Sequence, residues 1–155
     1  MNFGTLPDKI FFKIEAVLQT LWIGGLWVIG YLVAPILFAS LEERRLAGEL
    51  AGHMFTAMNY LGLVCGGVLL VLAYLRVRQT WFKDLRMIAI AFMLILILIS
   101  AFVLQPMMQE LKLAGLTEGS ETAAQFGRLH GVSSLLYLLN SLLGLFLAIY
   151  RRSVA

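Results

Sequence analysis

Four long apolar segments, separated by polar stretches, dominate the chain. A helix needs about 20 mostly apolar residues to cross a hydrocarbon core about 30 Å thick. Helices also satisfy their own backbone polar groups inside lipid. The segments that reach this length are residues 14–38, 55–75, 87–108 and 132–150. The pattern predicts an all-α, polytopic membrane protein, a single four-transmembrane-helix bundle over residues 1–155.

The stretches after the first and third segments are polar but have helical composition. They read LEERRLAGELAGH and QELKLAGL, and a further stretch, SETAAQFGRLH, leads into the fourth segment. We therefore expect the helices to extend beyond the lipid on one side of the membrane. Gly119 and Ser120 provide a break, and Ser120 is a candidate N-cap for the last helix.

The third and fourth segments differ in how their polar residues are distributed. The third, IAIAFMLILILISAFVL, is apolar on all sides, which favours the greatest lipid exposure of the four. The fourth has small and polar residues among its leucines, so more of it should face protein. These residues are Ser133, Ser134, Asn140, Ser141 and Gly144.

Charge is distributed unequally between the loops, and this predicts the topology. The loop between the second and third segments carries Arg76, Arg78, Lys83 and Arg86, whereas the other two loops are rich in glutamate. The N-terminal segment has Lys9 and Lys13, and the C-terminus has Arg151 and Arg152. By the positive-inside rule, both termini and the basic loop are cytoplasmic, which predicts an N-in/C-in topology.

Composition supports a lipid environment and argues against several other classes of protein. Of the 155 residues, 61% are apolar and 14% are charged, against about 25% charged in a soluble domain. The net charge of +3 comes from residues at the ends of apolar segments, so we expect no nucleic-acid partner. P-loop and nucleophile-elbow motifs are absent from the sequence, which disfavours a P-loop protein and a hydrolase.

A weak internal repeat runs through the chain. Pro35 followed by His53 in the first half corresponds to Pro106 followed by His130 in the second. Two spans per unit would give two tandem helical hairpins in the same orientation. The alternative is chance, because every four-span protein contains two hairpins.

The two histidines are the first candidates for chemistry. His53 opens the second span and His130 opens the fourth, so both are expected near the outer interface. Two imidazoles facing across a bundle can hold a b-type haem, and with Glu49, one turn before His53, they could bind a transition metal. The alternative is that each histidine is an interfacial residue hydrogen-bonded to a neighbour.

Ionisable groups near the inner interface need partners. Glu15 and Lys13 lie at this level in the first span, where either snorkelling to the interface or pairing with Arg86 or Arg151 would satisfy them. The middle of every span lacks acidic and basic residues in the sequence, which disfavours ion-coupled transport.

Small residues at four-residue spacing allow two helices to approach closely. They indicate mostly packing within the chain, and otherwise a docking face for a second membrane protein. Gly62 and Gly66 have this spacing, as do Asn140 and Gly144, and the first segment adds Gly25 and Gly30.

Three sequence pieces carry a family resemblance. They are LWIGGLWVIGYLVAPILFASL, AGELAGHMF and FGRLHGVSSLLYLLN, in this order. Together they resemble a bacterial membrane family of uncharacterised function related to eukaryotic transmembrane protein 205. The resemblance implies a four-helix protein of the bacterial inner (plasma) membrane without an established reaction. The first span more distantly resembles four-helix protoporphyrinogen oxidases and copper-resistance membrane proteins, although the histidine that those oxidases have early in this span is absent here.

Two hypotheses on function follow. The first is a non-enzymatic inner-membrane protein, either free-standing or an accessory subunit of a larger membrane complex, with the lipid bilayer, another membrane protein or a second copy as its partner. The second is a haem- or metal-binding membrane protein that uses His53 and His130.

Overall fold

The computed structural model describes residues 8–76, 84–117 and 119–150, and all long elements in this part of the chain are helical. In chain order they are α1 (Asp8–Val28), a first π-helical segment (Ile29–Val33), α2 (Ala34–Ser40), α3 (Arg44–Arg76), α4 (Leu85–Ile99), a second π-helical segment (Ser100–Leu104), α5 (Gln105–Ala114) and α6 (Glu121–Ile149). Most of the basic side chains behind the predicted topology, such as Arg78 and Arg151, lie outside the described residues.

These elements join into four helices long and apolar enough to cross a membrane, which confirms the predicted fold class. The first span is Ile10–Ser40, the second Arg44–Leu75, the third Leu85–Ala114 and the fourth Glu121–Ile149. The spans are longer than the apolar segments because the polar stretches beside them are also helical, as expected from their composition. We call the end of the bundle that holds Ser40 the outer end, after the predicted topology.

Local signals at the helix ends act as the sequence suggests. Gly119 has a φ of 79°, and Ser120 then caps α6, its Oγ accepting a hydrogen bond from the backbone N–H of Ala123 at 3.2 Å. Asp84 caps α4 in the same way, accepting from the N–H of Arg86 at 3.0 Å. Ser120 is therefore confirmed as the N-cap of the last helix.

The core of the bundle lies in its inner half. The first span packs against the second and the fourth, and the third span also packs against both, so the four form a closed ring of neighbours. The principal apolar cluster lies between these helices, below the π-helical segments. Its buried members are Trp22, Cys65, Leu69, Ala73, Met87, Ala89, Ile90, Met93, Ile97 and Leu147.

The third span is the most buried of the four, so the prediction that it has the greatest lipid exposure is wrong. Within its most apolar window 39% of residues are buried, against 22% in the fourth span. Ile90 and Met93 are completely buried in the core. A helix that is apolar all round fits a protein interior as well as lipid, so its pattern does not distinguish the two environments.

The outer half of the bundle opens into two separate helical pairs. We name α2 with the N-terminal part of α3 the first arm, and α5 with the N-terminal part of α6 the second arm. Each arm is packed internally, but among the described residues α2 has no extended contact with α5 or α6, and α3 has none with α5. The division matches the two tandem hairpins expected from the sequence; their origin by duplication stays a prediction.

Both arms begin at a π-helical segment followed by a proline. Pro35 is the second residue of α2 and Pro106 the second of α5. Proline has no N–H for the helical ladder and its ring displaces the preceding turn, so a wider turn before it accommodates the ring. The two prolines thus mark the level at which the arms separate.

Candidate functional sites

The two histidines lie at the outer end, one on each arm, and both are exposed. His130 stacks on Phe126, one turn earlier in α6, with ring centroids 6.0 Å apart and planes within 8° of parallel. His53 lies on α3, in the first arm. The placement of both rings at the outer membrane interface stays a prediction.

The proposed third metal ligand, Glu49, is used in an ion pair. Its Oε1 lies 3.2 Å from Nε of Arg45, on the exposed surface of α3. No group of three or more His, Cys, Asp or Glu side chains within the described ranges is placed to hold a metal ion. The set Glu49, His53 and His130 is therefore not assembled into a metal centre, whereas haem ligation by the two histidines stays a prediction.

A lysine connects the two arms at the outer end. Lys112 lies in α5, in the second arm. Its Nζ is 4.0 Å from the position that a Cβ on Gly52 of α3 would occupy. The same ammonium lies 5.7 Å from the centre of the Phe126 ring, a cation–π distance. The lysine of the second arm thus lies close to the backbone of the first arm.

Aromatic rings close the space below this lysine. Tyr137 of α6 packs edge-to-face on Phe55 of α3 at 4.9 Å and faces Tyr31 at 6.4 Å. Its hydroxyl donates a hydrogen bond to the backbone oxygen of Leu26, the acceptor that residue 30 would use in an uninterrupted α-helix. A Cβ on Gly30 would collide with the Tyr137 ring, so glycine is needed at this approach.

We call the space between the arms the outer cleft. Its described lining combines a cation and an imidazole near the outer end with aromatic rings at the base. The residues are Gly52, Phe55, Lys112, Phe126, His130 and Tyr137.

A buried ion pair joins the first and third spans at the inner end. Nη2 of Arg86 lies 2.8 Å from Oε1 of Glu15, and the two side chains are only 10% and 9% exposed. Gln19 bridges them: its Oε1 accepts from Arg86 Nη2 at 3.2 Å and its Nε2 donates to Glu15 at 3.3 Å. The prediction that Glu15 would pair with Arg86 or Arg151 is confirmed for Arg86.

The small residues considered for packing or docking are directed at other spans of the same chain. A Cβ on Gly25 would lie 2.9 Å from Met58, and one on Gly144 would lie 3.2 Å from Ile23. Gly62 and Gly66 both face the ring of Trp22. Gly30 faces Tyr137 and Asn140 is buried. These residues act in packing within the bundle, which leaves any docking face to other positions.

Sequence reasoning did not single out Lys112, Tyr137 or Trp22. Lys112 is one of several charges in a polar stretch, and its partner surface at Gly52 belongs to another span. The signal available for Trp22 was its position seven residues after Glu15 and three after Gln19, which places these three on one face of α1.

Comparison with known proteins identifies one matching family. A family model described as a domain of unknown function, DUF4149, matches residues 17–117, which include most of the first span and all of the second and third. No curated protein and no solved structure matches the chain. Since the match covers nearly two thirds of the 155 residues, the protein belongs to the DUF4149 family.

Proposed function

We propose that this is a non-enzymatic multi-pass protein of the bacterial inner membrane that acts by binding other membrane components, as an accessory subunit of a larger complex. The observation that carries the proposal is that polar groups inside the bundle bind other groups of the same chain. Arg86, Glu15 and Gln19 bind one another, and the Tyr137 hydroxyl binds a backbone oxygen. Such contacts hold helices together, which is the work expected of a structural component.

The proposed orientation has both termini in the cytoplasm. It is supported by the ion pair between Glu15 and Arg86, which brings the beginnings of the first and third spans to the same end of the bundle. The basic loop before the third span and the N-terminal lysines belong to this end in sequence, and an excess of Lys and Arg marks the cytoplasmic side.

Reporter fusions test the orientation. We expect alkaline phosphatase, which is active only after export, to be inactive when fused after Arg78 and active when fused after Glu118. A fluorescent protein that matures in the cytoplasm should show the reverse pattern at the same two sites. The same reporter behaviour at both positions would contradict the four-span arrangement.

Docking on another membrane protein requires an exposed surface that allows close approach. Gly127 and Gly131, one turn apart on α6, are both exposed, and a Cβ on either would meet nothing within 4 Å. Small residues at this spacing let a second helix approach the backbone. We therefore place the partner on this face of the fourth span.

Purification in a mild detergent tests the accessory role. We expect the wild-type protein to retain a stoichiometric membrane partner, and Gly131→Leu to lose most of it because the side chain blocks the close approach. Gly24→Leu is the matched control, since Gly24 is also exposed and has nothing within 4 Å. A monodisperse wild-type monomer, or equal loss in both variants, would contradict the docking proposal.

Haem binding is the second candidate function, because His53 and His130 stand on opposite arms of the outer cleft. The absorbance spectrum of the detergent-purified protein tests haem binding. If the histidines ligate a b-type haem, the spectrum has a Soret band that His130→Ala removes. A colourless preparation with both histidines intact would exclude this function.

A further inference from the structure

The outer cleft is open towards the surrounding membrane on the side of the first and fourth spans. Tyr31, at the start of this opening, is 52% exposed although its ring faces Tyr137. Above it, α2 and α6 have no extended contact among the described residues. Tyr31, at the base of the cleft, is therefore accessible to a molecule in the lipid phase on this side.

One face of the fourth span forms a wall of the cleft. Phe126, His130, Ser133 and Tyr137 follow at intervals of four, three and four residues, which places them in one row on α6. The first of the row touches Lys112 of α5, and the last touches Phe55 of α3. Lys112 is in the same arm as the row but reaches Gly52 of the first arm, and Phe55 also belongs to the first arm, so both ends of the row lie towards the first arm.

Lys112 supplies a positive charge at the outer end of this wall. The ion pairs described in the structure are Arg45 with Glu49 and Arg86 with Glu15, so within the described residues no carboxylate lies within salt-bridge distance of Lys112. Its ammonium lies instead between the Phe126 ring and the bare backbone of Gly52. A cation held over an aromatic ring keeps donors free for an anionic ligand.

We propose that the outer cleft binds an anionic phospholipid. The phosphate oxygens accept hydrogen bonds from Nζ of Lys112 and from the His130 ring at the outer end. One acyl chain lies over the rings of Tyr137 and Tyr31 and leaves the cleft between α2 and α6. The proposal depends on the bilayer location of the protein, but not on a docked protein partner.

The chemistry of the lining favours a phospholipid over a more polar ligand. The cation is a lysine, which binds phosphate as a point charge. Below it the lining is aromatic, and the Tyr137 hydroxyl is already bonded to Leu26. The site thus offers a charged group at headgroup level and an apolar surface beneath it, in the order in which a phospholipid presents its phosphate and chains.

Native mass spectrometry of the full-length protein tests the proposal. Delipidated protein is titrated with phosphatidylglycerol and, separately, with phosphatidylcholine of the same acyl chains. We expect one phosphatidylglycerol to bind more tightly than phosphatidylcholine, and Lys112→Gln to weaken it about tenfold, as loss of a charged hydrogen bond does. Arg128→Gln, which removes an exposed cation from the same end of α6, should change the affinity less than about twofold.

A second variant keeps the test decisive if Lys112→Gln does not fold. Tyr31→Ala removes an exposed ring from the base and should weaken both lipids severalfold. Equal affinity for the two lipids, equal effects of Lys112→Gln and Arg128→Gln, or wild-type binding by Tyr31→Ala would overturn the proposal. So would displacement of the lipid by inorganic phosphate alone, which would identify a site for free anions. Because purified protein is used, failure here leaves the docking experiment on Gly131 unaffected.

Discussion

Replacing Arg86 by methionine is expected to lower the free energy of unfolding by about 3–5 kcal/mol, because it leaves the Glu15 carboxylate buried without its cation. Methionine has a similar length and keeps most of the packing of the arginine stem. Glu15 is only 9% exposed, so water does not replace the lost partner. The measurement is equilibrium unfolding in mixed micelles, followed by circular dichroism.

Two control variants separate the buried pair from a general effect of charge. Arg45→Met breaks the exposed pair with Glu49, where the arginine side chain is 83% exposed, and should cost at most about 1 kcal/mol. The double variant Glu15→Gln with Arg86→Met removes both charges and should recover much of the stability lost by the single change. If Arg86→Met alone is as stable as Arg45→Met, the buried pair has no structural role.

Replacing Gly62 by alanine is expected to lower the free energy of unfolding by about 1–3 kcal/mol through overpacking. The new Cβ would lie 2.7 Å from Nε1 of Trp22 and 2.6 Å from Cδ1 of Ile97. The isoleucine methyl can rotate away, but the indole is rigid and completely buried between spans. The first and second spans must therefore separate slightly, which loses contacts along their interface.

Gly67→Ala is the matched control in the same helix. A Cβ at Gly67 meets nothing within 4 Å, so only the higher helix propensity of alanine acts, and stability should stay the same or rise by up to about 1 kcal/mol. Equal stabilities of Gly62→Ala and Gly67→Ala would show that the contact between Trp22 and the second span is looser than described. Both variants are compared by the same unfolding measurement.

The two predictions concern the inner half of the bundle, where packing is close, while the proposed lipid site lies in the open outer half. The difference follows from the positions of Pro35 and Pro106, each preceded by a π-helical segment. Below this level the spans share one core, and above it each arm is packed mainly within itself, with Lys112 beside Gly52 as a contact between the arms. We therefore expect substitutions on the arms to affect binding more than stability.

The sequence by itself determined the features that depend on local composition and on the behaviour of charge in lipid. The lengths of the apolar segments predicted four spans, because the thickness of the hydrocarbon core sets the length of a crossing helix. The cap at Ser120 follows from residues adjacent in the chain. Even the pairing of Glu15 with Arg86 was predictable, since a carboxylate at that depth needs a cation and few cations share its level.

Only the tertiary structure decided which faces of the helices meet. The third span is apolar on every side, so its sequence contains no signal for its rotation or its burial. Its place in the core depends on Trp22, which lies against Gly62 and Gly66 of another span. Likewise, the fold alone brings Lys112 next to Gly52, which is distant in sequence and belongs to the other arm. Such contacts arise from complementary shapes on separate helices, and periodicity along a single helix does not encode them.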